Sequence, residues 1–486
     1  MPSRQKKIVD SREVSGDSSK ISVVRQLERQ QGYFDYAPLG WSVWRILRFY
    51  VFSRANVVKV SGESPRTMKR LLRSMLGLLV LAMLMLAPGG KHRILYKSSR
   101  SALRIKTASG YLDTFLDCVL SERDDFLKLE EVNTEGFSLQ ASRKIIKSKA
   151  DPVAVNLLAY LLSYVSGANL FREFTVRITG DIREACGLNL DAKALARIAA
   201  RVYWQEKLYL VILRRLSPRV VVLTDTGDYG LRLAAIRTGI KVVEMQHGVF
   251  DDDHPDAVPR WVVGSSYRNI EPDFLICRGE FSKERLRNSR LFPTRLLALG
   301  YEPIDRARAA RASLGTSANR YPEVRILVSS QGYEREALSA WVLDFIDKTP
   351  PTLQLKIFLK LHPFYDIDES AFKELRRDGH IELIAGADER SIYDLLVGTD
   401  VHMSISSNAH YDAASLGVPS LVIPLKGCEL VANFADEKAI YVASSPTDAW
   451  DRILDSDTYR RARSVSNFYC ETKFSESVTK MLREWV

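Results

Sequence analysis

His362, Ser404, Ser406, Ser407 and Asn408 are residues whose types and spacing suit one task, holding a phosphate. The serines stand in DVHMSISSNAHYDAASLGVPSLVI, about forty residues after LKLHP. Residues 401–405 alternate and then yield to small polar side chains, residues 411–416 have helical composition, and Gly417 and Pro419 stop them. That is the pattern of a strand, a loop and a helix. Free N–H groups at a helix start point at whatever sits above the strand, and the helix dipole favours an anion there. Hydroxyls and an Asn amide add donors with little bulk. The plainer reading of Ser406, Ser407 or Asn408 is that of a helix cap. Two more strand ends repeat the theme: residues 325–328 run into Ser329-Ser330-Gln331-Gly332, and residues 355–361 into His362-Pro363. On a parallel sheet the three ends share one edge, where ligands of open α/β sheets bind. Lys360 either neutralises phosphates there or merely flanks its strand, as lysines commonly do.

Opposite an anion site, a group-transfer enzyme needs a base for the acceptor hydroxyl. The strand at 219–223 runs into Asp225 and Asp228, and the one at 241–245 into Gln246-His247-Gly248. His has the better unperturbed pKa near neutrality, while an Asp serves if hydrogen bonds hold it and it is partly desolvated. His247 is preferred slightly over Asp225; a turn imidazole bonded to backbone is the plain alternative. Asp251-Asp252-Asp253 followed by His254 reads as a solvated charge run in a loop.

From about residue 92 onward the chain resembles bacterial surface-carbohydrate and capsule glycosyltransferases of the two-Rossmann-domain, GT-B type. The resemblance rests on the order and spacing of HRILY, YLDTFLDCVL, VVEMQHGV, FLICRGE, ALGYEP, ILVSSQG, LKLHP and SSNAHYDAASLGVPSLVI. The His-Pro and Ser-rich pair is also similar to that of sialyl- and polysialyltransferases and of CDP-glycerol glycerophosphotransferases. The resemblance implies that His362 and the serines hold the donor's phosphate. It also implies that Asp412 stands where the family often carries a Glu suited to a ribose or sugar hydroxyl. Sialyltransferases of this architecture use an acidic base, whereas the His-Gly pair is implicated in the teichoic acid enzymes.

Composition bounds the same answer. A chain of 486 residues is long enough for two domains with sizeable cores. Its five cysteines show neither CxxC nor metal-finger spacing, so no disulfide framework or zinc site is expected and a reducing cytoplasm is the default. The first forty residues are polar and charged, unlike a secretory signal peptide. The net charge of +11 is uneven: residues 1–110 carry 21 Lys and Arg against 6 Asp and Glu, the remainder 49 against 53. A slightly acidic body argues against nucleic acid as a partner. Within the basic segment, residues 41–52 (WSVWRILRFYVF) suit a membrane interface with snorkelling arginines. Residues 75–87 are uninterrupted apolar sequence, short of the roughly twenty residues that cross a bilayer.

The expected architecture is α/β, with two Rossmann-like domains and a helical, basic N-terminal extension. Residues 1–90 form the extension, a possible membrane attachment. Residues 91–302 form an acceptor domain whose first helix is 111–120 and which carries helical insertions over 121–200. Residues 303–323 are a linker, residues 324–445 a nucleotide-sugar donor domain, and residues 446–486 helices returning to the first domain. The expected activity is metal-independent transfer of a sugar from a CMP-, CDP- or UDP-linked donor to a growing surface polysaccharide or lipid-linked glycan. No cofactor is expected. His247, Asp225 or Asp228 would act on the acceptor; Ser330, Gln331, Gly332, Lys360, His362, Ser404, Ser406, Ser407, Asn408 and Asp412 would bind the donor. The expected place is the cytoplasm, peripheral on the inner face of an anionic membrane. A CDP-glycerol-type phosphotransferase, a nucleotide-sugar epimerase and a non-catalytic capsule-assembly scaffold are the alternatives.

Overall fold

Short apolar runs, each closing on a polar residue, build two parallel sheets. The structure is a computed structural model that describes residues 16–55, 93–98, 104–107, 110–121, 123–129, 149–150, 153–224, 227–246, 248, 261–262, 270–286, 295–314, 323–362, 365–366, 369–386 and 390–486. In the first half the strands are Ile94–Lys97 (β1), Arg104–Thr107 (β2), Gly110–Asp113 (β3), Phe126–Leu129 (β4), Lys149–Ala150 (β5), Val220–Leu223 (β6), Lys241–Met245 (β7), Phe274–Cys277 (β8) and Leu296–Ala298 (β9). Seven of them form a sheet in the order β5-β4-β1-β6-β7-β8-β9, while β2 and β3 pair as a separate antiparallel hairpin. In the second half Glu323–Ser329 (β10), Gln354–Lys360 (β11), Ile381–Ile384 (β12), Val401–Ser404 (β13), Ser420–Val422 (β14) and Ile440–Val442 (β15) run in the order β12-β11-β10-β13-β14-β15. Every pairing within the two sheets is parallel. In each sheet the chain winds outward from its first strand in one direction and then in the other, which is the doubly wound Rossmann arrangement. The fold is α/β with two Rossmann-like sheets, the GT-B architecture.

The helices used below are Gly16–Gln30 (α1), Val43–Ala55 (α2), Val153–Val165 (α3), Asn169–Cys186 (α4), Ala192–Leu216 (α5), Tyr229–Arg237 (α6), Glu302–Ser313 (α7), Ala409–Ser415 (α8) and Phe474–Trp485 (α9). Trp41, Trp44, Leu47, Val51 and Phe52 are buried in one core with Phe171, Phe174 and Ile178 of α4 and with Leu195 and Ala199 of α5. Arg45 donates to Glu271 at 2.7 Å and Arg48 to Glu28 at 2.8 Å, both pairs buried. The stretch 41–52 is therefore core, not a membrane-facing helix: its arginines are neutralised inside the protein and do not reach outward to headgroups. The apolar run 75–87 lies outside the described residues.

Two other expectations change. Residues 111–120 are not one helix: β3 ends at Asp113, and only Asp117–Leu120 is helical. Most of the expected linker is α7, whose Arg308 donates to the carbonyls of Ser415, Ser466 and Cys470. The chain then crosses back: the Glu471 N–H donates to the Arg278 carbonyl at 2.8 Å, and Phe474, Val478 and Leu482 of α9 share a core with Ile94, Phe126, Val220 and Phe274.

Candidate functional site

In the second sheet the winding reverses between β10 and β13, so their carboxyl ends frame the crevice where ligands of such sheets bind. Ser329-Ser330-Gln331-Gly332 leaves β10 there and Ile405-Ser406-Ser407-Asn408 leaves β13. The two loops are tied together. Ser406 Oγ and the Tyr333 hydroxyl bond each other and each lies 2.8 Å from Gln331 Oε1, so their two protons are shared among three contacts. Gly332 has φ +78°, and a β-carbon on it would lie 2.1 Å from Tyr365 Cβ, so only glycine lets this loop close on the segment after β11. The Tyr365 ring in turn stacks on His362, centroids 4.3 Å apart. The His362 N–H donates to Asp366 Oδ2 at 2.7 Å, which fixes the strand exit. Partial burial draws the His362 imidazole below its ordinary pKa, against the attraction of Asp366, so at neutral pH it is an uncharged donor or acceptor.

The remaining donor-side residues divide by what they touch. Ser404 is fully buried and its hydroxyl donates to the Ser329 carbonyl at 2.7 Å, clamping β13 to β10. Ser407 Oγ accepts the Ala409 N–H at 3.2 Å, a turn bond just ahead of the helix. Asn408 is exposed and makes no side-chain cap bond. Ser330 is buried, its N–H donating to the Lys360 carbonyl. Lys360 Nζ donates to the Ala385 carbonyl at 3.0 Å, one strand over. Asp412 accepts from Arg278 Nη1 at 2.6 Å, a buried pair joining α8 to the end of β8. Burial pulls the guanidinium down, and the Asp412 carboxylate overcomes it and holds its pKa above the ordinary value.

The first sheet reverses between β1 and β6. Lys97 ends β1, and its ammonium pairs with Asp228, which follows β6 and starts α6. Of the three residues proposed to act on the acceptor, Asp228 is thus placed at this switch point in an ion pair; Asp225 and His247 lie outside the described residues, as does the run 251–254. Gly248 is described: the Gln246 amide donates to its carbonyl at 2.7 Å and accepts the Arg278 N–H at 3.1 Å. A β-carbon placed on Gly248 would lie 3.8 Å from Asn408 Nδ2. The serine loop of one sheet therefore faces the end of β7 in the other across a narrow cleft. Sequence reasoning passed over Lys97 and Arg278; each is a cation closing an apolar strand in HRILYK and FLICR, and that was the available signal.

No family model and no curated protein matches the chain. Among solved structures it is similar to the UDP-GlcNAc 2-epimerase from Neisseria meningitidis bound to UDP-GlcNAc, with 15% identity, TM-score 0.46, and 80% of this chain and 99% of that chain covered. It is also similar to the Methanocaldococcus jannaschii UDP-GlcNAc 2-epimerase (12%, 0.42, 80% and 99%). A third likeness is to the wall teichoic acid polymerase TagF (12%, 0.44, 86% and 97%). These likenesses are too distant to identify a reaction.

Proposed function

We propose that the protein is a glycosyltransferase that moves a sugar from a nucleotide-activated donor to a growing surface polysaccharide or lipid-linked glycan, working peripherally on the cytoplasmic face of a membrane. The observation that carries this reading is the approach of Asn408 to Gly248, which sets the switch-point loops of the second sheet against the strand ends of the first. In this reading the donor's phosphates lie over Ser330, Gln331, Gly332, Ser406, Ser407 and Asn408, with His362 donating to a phosphate oxygen as the nucleotide leaves. Lys360 adds positive charge behind the site, and the leaving group needs no metal. Asp412 and Ser404 act indirectly, by holding α8 and β13 that carry the loop. His247 or Asp225 takes the acceptor proton, and Asp228 with Lys97 holds the acceptor side.

A panel of CMP-, CDP-, UDP- and GDP-compounds in a thermal-shift screen tests the donor class, since a ligand at a hundred times its Kd adds about 2.7 kcal/mol of stability. One nucleotide is expected to stand out. His362→Ala should abolish its binding by calorimetry, and His247→Ala should keep binding and lose turnover. Retained turnover in both variants would overturn the site. Incubation with donor alone separates transfer from epimerisation, because only an epimerase converts its substrate without an acceptor.

A further inference from the structure

Helix α3 is apolar on two opposite faces, and only one of them is covered by the described residues. Residues 152–171 contain no charged side chain. Val155, Ala159 and Ser163 form the buried stripe, packed toward α5. On the other side Leu161 is 53% exposed, Tyr164 55% and Val165 84%, with Leu157, Leu158 and Leu162 partly exposed beside them and Leu170 beyond the turn into α4. A helix that is hydrophobic all round is ordinarily buried on all sides. At 13 residues it is about 20 Å long, too short for the roughly 30 Å hydrocarbon core of a bilayer. No helix among the described residues is long and apolar enough to cross a membrane.

The rim of this face is basic and aromatic. Helices α3 and α5 are matched residue by residue. The Arg197 guanidinium lies 4.9 Å from the Tyr164 ring centre, Arg201 is beside Tyr160, and Gln205 donates to Asn156 at 2.7 Å. Over 191–205 the α5 sequence carries Lys193, Arg197 and Arg201 against one acidic residue, its N-cap Asp191, which lies 3.9 Å from Arg197. Trp204 and Tyr203 close the same end against the α3–α4 turn, the indole N–H donating to the Ser166 carbonyl at 3.2 Å. Exposed aliphatic side chains flanked on the α5 side by Tyr, Trp and Arg match the layering of a lipid interface, with hydrocarbon inside, aromatic rings at the headgroup level and anions outside.

We propose that the outward face of α3, with the α3–α4 turn, docks in the plane of an anionic lipid surface. Helix α5 links this face to the start of α6: Gln205 packs against Gly230, where an added β-carbon would overlap it at 2.3 Å, and Gly230 is two residues from Asp228. A lipid-borne acceptor held at this face would lie on the side of the first sheet. The inference names a surface for the membrane role proposed above. Its test uses no nucleotide, so its failure leaves the donor chemistry standing.

The experiment is flotation of the full chain with phosphatidylcholine vesicles, with and without phosphatidylglycerol. Binding is expected only with the anionic lipid and weaker at high salt. Leu161→Glu with Val165→Glu, and separately Arg197→Glu with Arg201→Glu, should each lower it about ten-fold or more, with melting temperature and gel-filtration elution unchanged. Absent wild-type binding, or wild-type binding by both pairs, overturns the proposal. A large fall in melting temperature for the Leu161/Val165 pair means another segment of the chain covers the face and overturns it. So does a shift of that pair's elution toward a smaller species, which means a second copy covers it.

Discussion

Arg278 and Asp412 show how a binding residue and a structural one differ by a single contact. Asp412 is buried with its carboxylate against the Arg278 guanidinium, which also lies 4.3 Å from the Tyr301 ring centre. Removing one member of such a pair strands the other charge, which costs about 3–5 kcal/mol. Arg278→Ala is therefore expected to lower unfolding stability by about that amount in urea titrations, while Arg278→Met with Asp412→Leu recovers most of it. An Asp412→Ala variant that lost donor affinity without losing stability would place Asp412 in the donor site after all. The sequence could not decide this, because the partner of Asp412 is 134 residues away at the end of another strand.

At the scale of elements, β13 and α8 rest on two buried histidines that sequence reasoning left without a role. His402 bonds Ser329 at 2.9 Å and Ser420 at 2.7 Å, and Ser420 also bonds His410 at 2.7 Å. Burial lowers both imidazoles, His402 well below the ordinary 6.5 and His410 to about 3. Below pH 6.5 the unfolded chain binds protons that the native state refuses, so their contribution is full above that pH and is lost as pH falls toward 3. Each histidine is expected to add about 1.4 kcal/mol per pH unit to that loss. Urea midpoints measured between pH 7 and pH 4 should fall steeply, and His410→Gln should flatten the slope. The strands themselves were legible as apolar runs closing on serine, lysine or glutamine. The hairpin 104–113 was not: the turn after it is fixed by Asp113 accepting from the Tyr96 hydroxyl at 2.6 Å and the Phe115 N–H at 2.8 Å, a contact with β1 that periodicity does not carry. Residues 41–52 were misread for a related reason. Tryptophan, aliphatics and arginine suit an interface or a core equally, and the deciding partners, Phe171 and Glu271, are remote in sequence.

Across the whole molecule the two sheets were foreseeable, because each βα repeat carries its own signal. The return of α9 depends on contacts over 357 residues, such as that between Ser475 and Cys118. Phe474, Val478 and Leu482 are fully buried there. At about 1.5–3 kcal/mol each, their loss rivals the roughly 5–15 kcal/mol that holds a typical domain together. A chain ending at residue 473 is expected to be insoluble, or to bind a hydrophobic dye and show no cooperative melting. The same feature governs synthesis. The half of the molecule that emerges from the ribosome first stays uncovered until α9 follows, so its apolar face is exposed to aggregation for that time.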